Sequence, residues 1–117
     1  MKVKLRFEKR IHPTPPTLIL ELSGEVSSGR SLESLIELIH GSDYKFYVVS
    51  MRDVQYINSS GFGELAELHL KCEERGKSLY FADLSDKISA VFETMGGNNF
   101  MRIAPTVDEA LAAIAPR

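Results

Sequence analysis

The chain has 117 residues, 44% of them hydrophobic and 26% charged, with a formal net charge of -2. That length suits one domain able to bury a core without disulfide or metal staples. The charge balance excludes an electrostatic drive toward nucleic acid or an anionic membrane, and a lone cysteine, Cys72, excludes an intrachain disulfide framework and CxxC zinc spacing.

Val3, Leu5 and Phe7 alternate with Lys2, Lys4, Arg6 and Glu8, the period of a half-buried strand. His12 to Pro16 (HPTPP) reads as a loop, because its prolines deny helix and central strand. Thr17 to Leu22 follows as a second strand, antiparallel to the first. Ser23-Gly24-Glu25 to Gly29 is turn-rich. Leu32, Leu35, Ile36 and Ile39 then recur at helical spacing, with a stop near Gly41.

Lys45 to Met51 is a continuous apolar strand, as expected where both faces are covered. Asn58-Ser59-Ser60-Gly61 is a polar turn opening a helix, with Phe62, Leu65, Ala66, His69 and Cys72 on one face and Gly76 as the stop. Ser78 to Ala82 is the fourth strand. Ile88, Val91, Phe92 and Met95 form a helical stripe ended by Gly96-Gly97, and Phe100 to Ile103 is a fifth strand. Thr106 and Glu109 have capping-box spacing ahead of Val107, Ala110, Leu111 and Ile114. The order ββαβαβαβα predicts an α/β domain over residues 1–117. Its five-stranded sheet is mostly parallel, with an antiparallel N-terminal edge strand and four helices. The start of the chain lacks the apolar stretch of a signal peptide, and no run approaches a membrane span, so the cytoplasm is the expected setting.

Two Ser/Gly-rich loops, Gly24 to Arg30 and Asn58 to Gly63, fall beyond the carboxyl ends of strands, where open α/β sheets place their sites. The second opens onto a helix N-terminus, whose orphan N–H groups and partial positive charge suit a phosphate. The plainer role for such a serine is a helix cap, worth about 1 kcal/mol. Ser60 is the candidate cap and Ser59 the candidate exposed hydroxyl.

The remaining reactive residues read mainly as structure. His69 and Cys72 lie on an apolar helix face, while His12 and His40 lack companions at metal spacing. Met95 reads as core, and Phe62 as either core or docking anchor. Glu64 and Glu67 complement the helix dipole or contact a partner. Gly96 to Asn99 lacks the Lys-Ser/Thr of a phosphate loop and reads as a helix stop. Asp53 and Asp83 are isolated carboxylates in turns. No nucleophile–base pair, metal set or cofactor motif assembles, so neither an enzyme nor a cofactor is expected.

Ser59-Ser60-Gly61-Phe62-Gly63, the tail Thr106-Val107-Asp108-Glu109-Ala110-Leu111 and the Leu22 to Val26 segment together resemble STAS domains, over nearly the whole chain. The resemblance is to the anti-sigma-factor-antagonist type. It implies a protein partner, a serine kinase that also holds a sigma factor, and release of that partner when the first serine of the pair is phosphorylated. That serine aligns with Ser59, with Ser60 as the alternative. The expected docking surface comprises Ser27, Ser28 and Arg30, then Asn58, Ser59, Ser60, Gly61, Phe62 and Gly63, with Glu64 and Glu67 on the helix. Ser27, Ser50 and Asn58 stand where the family commonly carries Asp, which removes three acids expected around the acceptor. The family also allows a permanent scaffold subunit of a signalling or transport complex, or a nucleotide-binding module. Pairing with a second copy stays open.

Overall fold

The computed structural model describes residues 4–27 and 32–115. Strands β1 (Arg6–Pro13), β2 (Pro16–Val26), β3 (Phe46–Ile57), β4 (Ser78–Ala82) and β5 (Arg102–Ala104) form one sheet in sequential order. β1 and β2 are antiparallel; the other pairs are parallel. Helices α1 (Glu33–Gly41), α2 (Ser59–Glu74) and α3 (Asp86–Thr94) connect the parallel strands, and α4 (Val107–Ile114) ends the described chain. Sequential strand order requires crossovers of one hand to stay on one face. Accordingly, α1, α2 and α3 bury Leu35, Ile39, Leu65, Leu68, Ile88 and Phe92 against Leu20, Tyr47, Val49 and Phe81. On the other face, α4 packs Val107, Ala110 and Ile114 against Ile19, Val48 and Ala82. The unbroken apolar run of β3 thus serves two cores, with successive side chains going to opposite faces.

Several expected boundaries move, those of the first three strands because a pairing partner supplies what the local sequence lacks. His12 to Pro16 is not a loop. Only Thr14 and Pro15 form the turn, and Pro13 faces Pro16 across the strand pair. The missing proline N–H is tolerated on an edge strand and at a strand start. β2 continues through Ser23, Gly24 and Glu25, with register shifts on either side and Gly24 at φ 98°. β3 continues to Ile57, because its tail pairs with that of β2 as far as Val26↔Ile57. Phe100 is not in the fifth strand: a 3-10 turn over Gly97–Asn99 intervenes and the strand begins at Arg102. Met95 is not core. It is the residue after α3, 42% exposed, and Gly96 follows at φ 79° as the left-handed helix stop.

Candidate functional site

The tails of β2 and β3 end side by side, and α2 springs from the second of them. Asn58 is in extended conformation (φ -109°, ψ 176°), and its Oδ1 accepts the Gly61 N–H at 2.8 Å. Asn58 therefore caps α2, and the expectation that Ser60 does so is wrong. A residue in the extended region can fold its side chain back onto the third N–H, whereas Ser60 already lies inside the helix. The Asn58 N–H donates to the Val26 carbonyl, 3.3 Å away, tying the helix start to the end of β2.

Ser59 and Ser60 are the first two residues of α2, and both are exposed. With the cap supplied by Asn58, the Ser59 hydroxyl has no hydrogen-bond partner among the described residues. The first turn carries no acidic residue, so the positive end of this 16-residue helix is uncompensated there. Ser27 is half-buried just after Val26. Ser28 and Arg30 lie outside the described residues.

The other expected docking residues divide. Phe62 is a core residue, 3% exposed, edge-on to Phe92 with ring centroids 5.1 Å apart. It cannot be a surface anchor, because the sheet-facing side of α2 carries it inward. Gly61 is also buried, and its missing side chain serves the fold: a Cβ there would stand 2.3 Å from the Val26 carbonyl oxygen. Gly63 is exposed, with nothing within 4 Å of a Cβ. Glu64 is half-buried, not on the open side of α2. It lines a cleft of about 110 Å³ between α1 and α2 with His40 and Lys71, and its Oε2 has no hydrogen-bond partner. Burial, then the charge of Glu67, pushes its pKa up. Glu67 is exposed and pairs with Lys71 at 3.2 Å.

Ser50 does not belong to this site. It lies in mid-strand, and roughly 23 Å of strand separates it from Ile57, two residues before Ser59. It is buried, and its Oγ donates to Asp83 Oδ2 at 2.7 Å, with an Arg52 nitrogen 3.8 Å from the same oxygen. Asp83, expected to be isolated, holds a left-handed backbone (φ 60°) at the end of β4. Nothing local in the sequence links residues 33 positions apart.

His69 and Cys72 are buried on the inner side of α2, where burial lowers the histidine pKa and raises that of the thiol. The His69 ring leans on Phe100, 5.9 Å between centroids. Among the described residues no group of three His, Cys, Asp or Glu could hold a metal ion, and no helix is long and apolar enough to cross a membrane.

The family model for the STAS domain matches residues 6–110. Three solved structures illustrate the likeness of fold. An anti-sigma factor antagonist from Mycobacterium paratuberculosis is 19% identical with TM-score 0.81, covering 94% of this chain and 93% of that one. A sulfate transporter family protein from Wolinella succinogenes is 22% identical with TM-score 0.70, covering 83% of each chain. The Bacillus cell fate determinant SpoIIAA, solved in its phosphorylated form, is 18% identical with TM-score 0.65, covering 93% of this chain and 99% of that one. Among curated proteins, none matches the chain.

Proposed function

The chain belongs to the STAS domain family, and from that membership we propose a non-catalytic, protein-binding regulatory module of the anti-sigma-factor-antagonist kind, switched by a phosphate on Ser59. One observation carries this reading. Ser59 stands exposed at the first position of α2 while Asn58 does the capping, so its hydroxyl makes no hydrogen bond among the described residues. A phosphate there would add about -1.5 to -2 charges at an uncompensated helix N-terminus, which favours its formation. The same charge would change what the surrounding surface offers a partner. Ser27, Ser59, Ser60, Gly63 and Glu67 are the described residues of that surface. The partner is a cytoplasmic serine kinase that also holds a sigma factor, and the whole chain acts as one STAS domain.

The test is to incubate the protein with an ATPase-type serine kinase from the same cell and read phosphate by peptide mass spectrometry. Phosphate is expected on Ser59. Ser59→Ala should retain the kinase in a pull-down, and Ser59→Asp should release it. Equal retention by both variants would sink the switch.

A permanent scaffold role is the second reading. Asn58 and Ser27 are neutral where the family commonly carries acids, and a lasting contact needs no acids around an acceptor. A complex of constant size, with no phosphate on Ser59 in cells, would favour it.

A further inference from the structure

β1 is one edge of the sheet, eight residues long and, among the described residues, paired with β2 alone. An edge of this length presents a row of unpaired backbone groups. Pro13 and Pro16 face each other beside the turn, and neither has an N–H. Hydrogen-bonded rungs of the β1–β2 ladder therefore start at His12↔Thr17 and recur at Arg10↔Ile19, Glu8↔Glu21 and Arg6↔Ser23. The N–H and C=O groups of Phe7, Lys9 and Ile11 then point away from β2, toward any added strand. Ile11 is 60% exposed at this edge. It borders a largely apolar groove of about 360 Å³, lined also by Leu18 of β2, Leu38 of α1 and Tyr44.

The charge pattern of β1 favours one register for a second copy over the registers one rung pair either side of it. With Lys9 on a two-fold axis, Phe7 faces Ile11 of the second copy, and Glu8 faces Arg10, each pair occurring twice. A slip of one rung pair either way sets Glu8 against Glu8 or Arg10 against Arg10. Like charges directly opposite one another are unfavourable, and opposite charges favourable. Lys9 meets its own copy on the axis, and its long chain can carry the ammonium clear of the contact.

We propose that β1 pairs antiparallel with β1 of a second copy in this register, joining two five-stranded sheets edge to edge. The Phe7 of the second copy covers Ile11 beside the apolar groove. The pairing does not use Ser59, so it stands or falls separately from the switch.

The experiment is sedimentation velocity on the full chain over a concentration series, with circular dichroism to confirm folding. The wild type is expected to show a reversible monomer–dimer equilibrium. Glu8→Arg and Arg10→Glu should each weaken it about tenfold or more. An equimolar mixture of the two variants should form a heterodimer close to wild-type affinity, because every facing pair is again Glu with Arg. Arg10 also reaches Glu21 at 3.7 Å, so weakening by Arg10→Glu alone has a second cause, but recovery in the mixture does not. A wild type that stays monomeric throughout overturns the proposal and leaves the edge to a strand from another protein. Variants that dimerise like the wild type, or a mixture with no recovery, overturn it as well.

Discussion

Asn58 and Gly61 are locked together by one hydrogen bond, Oδ1 to N–H at 2.8 Å, and that bond decides which serine is free. Had Ser60 been the cap, the helix would start two residues later and Ser59 would lie in the approach to it. Asn58→Ala should cost about 1 kcal/mol in a urea melt. Asn58→Asp keeps an oxygen acceptor and adds a negative charge at the helix start, so stability should hold or rise by about 0.5 kcal/mol at low salt. A loss as large as that of the alanine variant would show that the cap is not functioning as described.

Gly61 and Gly63 look equivalent in sequence and should respond in opposite directions. A Cβ at Gly61 would meet the Val26 carbonyl oxygen at 2.3 Å, and backbone on both sides leaves little room to yield. Gly61→Ala should therefore destabilise by about 1–3 kcal/mol, as overpacking does. Gly63→Ala meets nothing within 4 Å and lies inside α2, so it should stabilise by about 0.5–1 kcal/mol. Parallel thermal melts of the two variants check the contrast.

The element order and the mixed sheet were legible in the sequence, and so were short motifs with a single reading, whereas element ends set by a distant partner were not. Thr106 accepts the Glu109 N–H at 3.1 Å, a contact spanning four residues and visible as a motif. Ser78–Ala82 is a short apolar run with clear ends, and its span holds. By contrast, the tails of β2 and β3 are polar enough to resemble turns and become strands only by pairing with each other. Asn58, Ser59 and Ser60 are all good capping residues, and it is the close approach of Gly61 to Val26 that fixes the register among them. The two readings of Phe62 differ only in which way one side of α2 faces. Gly97 settles it, since the Phe62 ring lies about 3 Å from where a Cβ on Gly97 would stand. No spacing rule connects those two positions.

Burial lowers the pKa of His69 below its ordinary 6.5, with Glu73 opposing and Arg102 assisting. Burial also lowers that of His40, assisted by Arg75, Lys71 and Lys77. A histidine that binds its proton more weakly when folded contributes fully above the unfolded value, and its contribution falls as pH drops through the window beneath it. Glu64 acts in the opposite sense: its folded pKa is raised above 4.5, so its contribution is present below 4.5 and lost as pH rises through the raised value. The expected profile is flat just above 6.5 and declines on acidification below it, with Glu64 opposing the decline at the acid end. His69→Leu should make the decline shallower. Urea midpoints at a series of pH values measure this, and an unchanged slope would remove His69 from the account.

Ser50 of β3 donates to Asp83, just past the end of the neighbouring β4, at 2.7 Å. Ser50→Ala removes the donor and leaves a mostly buried carboxylate with only Arg52 nearby, which should cost about 1–3 kcal/mol. Ser50→Asp brings two carboxylates to hydrogen-bonding distance, where they cannot both stay ionised without a penalty. One of the two then takes a raised pKa, and its contribution to stability is present in acid and lost as pH rises through that value. Ser50→Asp should therefore be less stable than the wild type at neutral pH and recover ground on acidification, while Ser50→Ala should lose stability without that recovery. Two variants that melt in parallel at every pH would mean that the introduced acid is not beside Asp83.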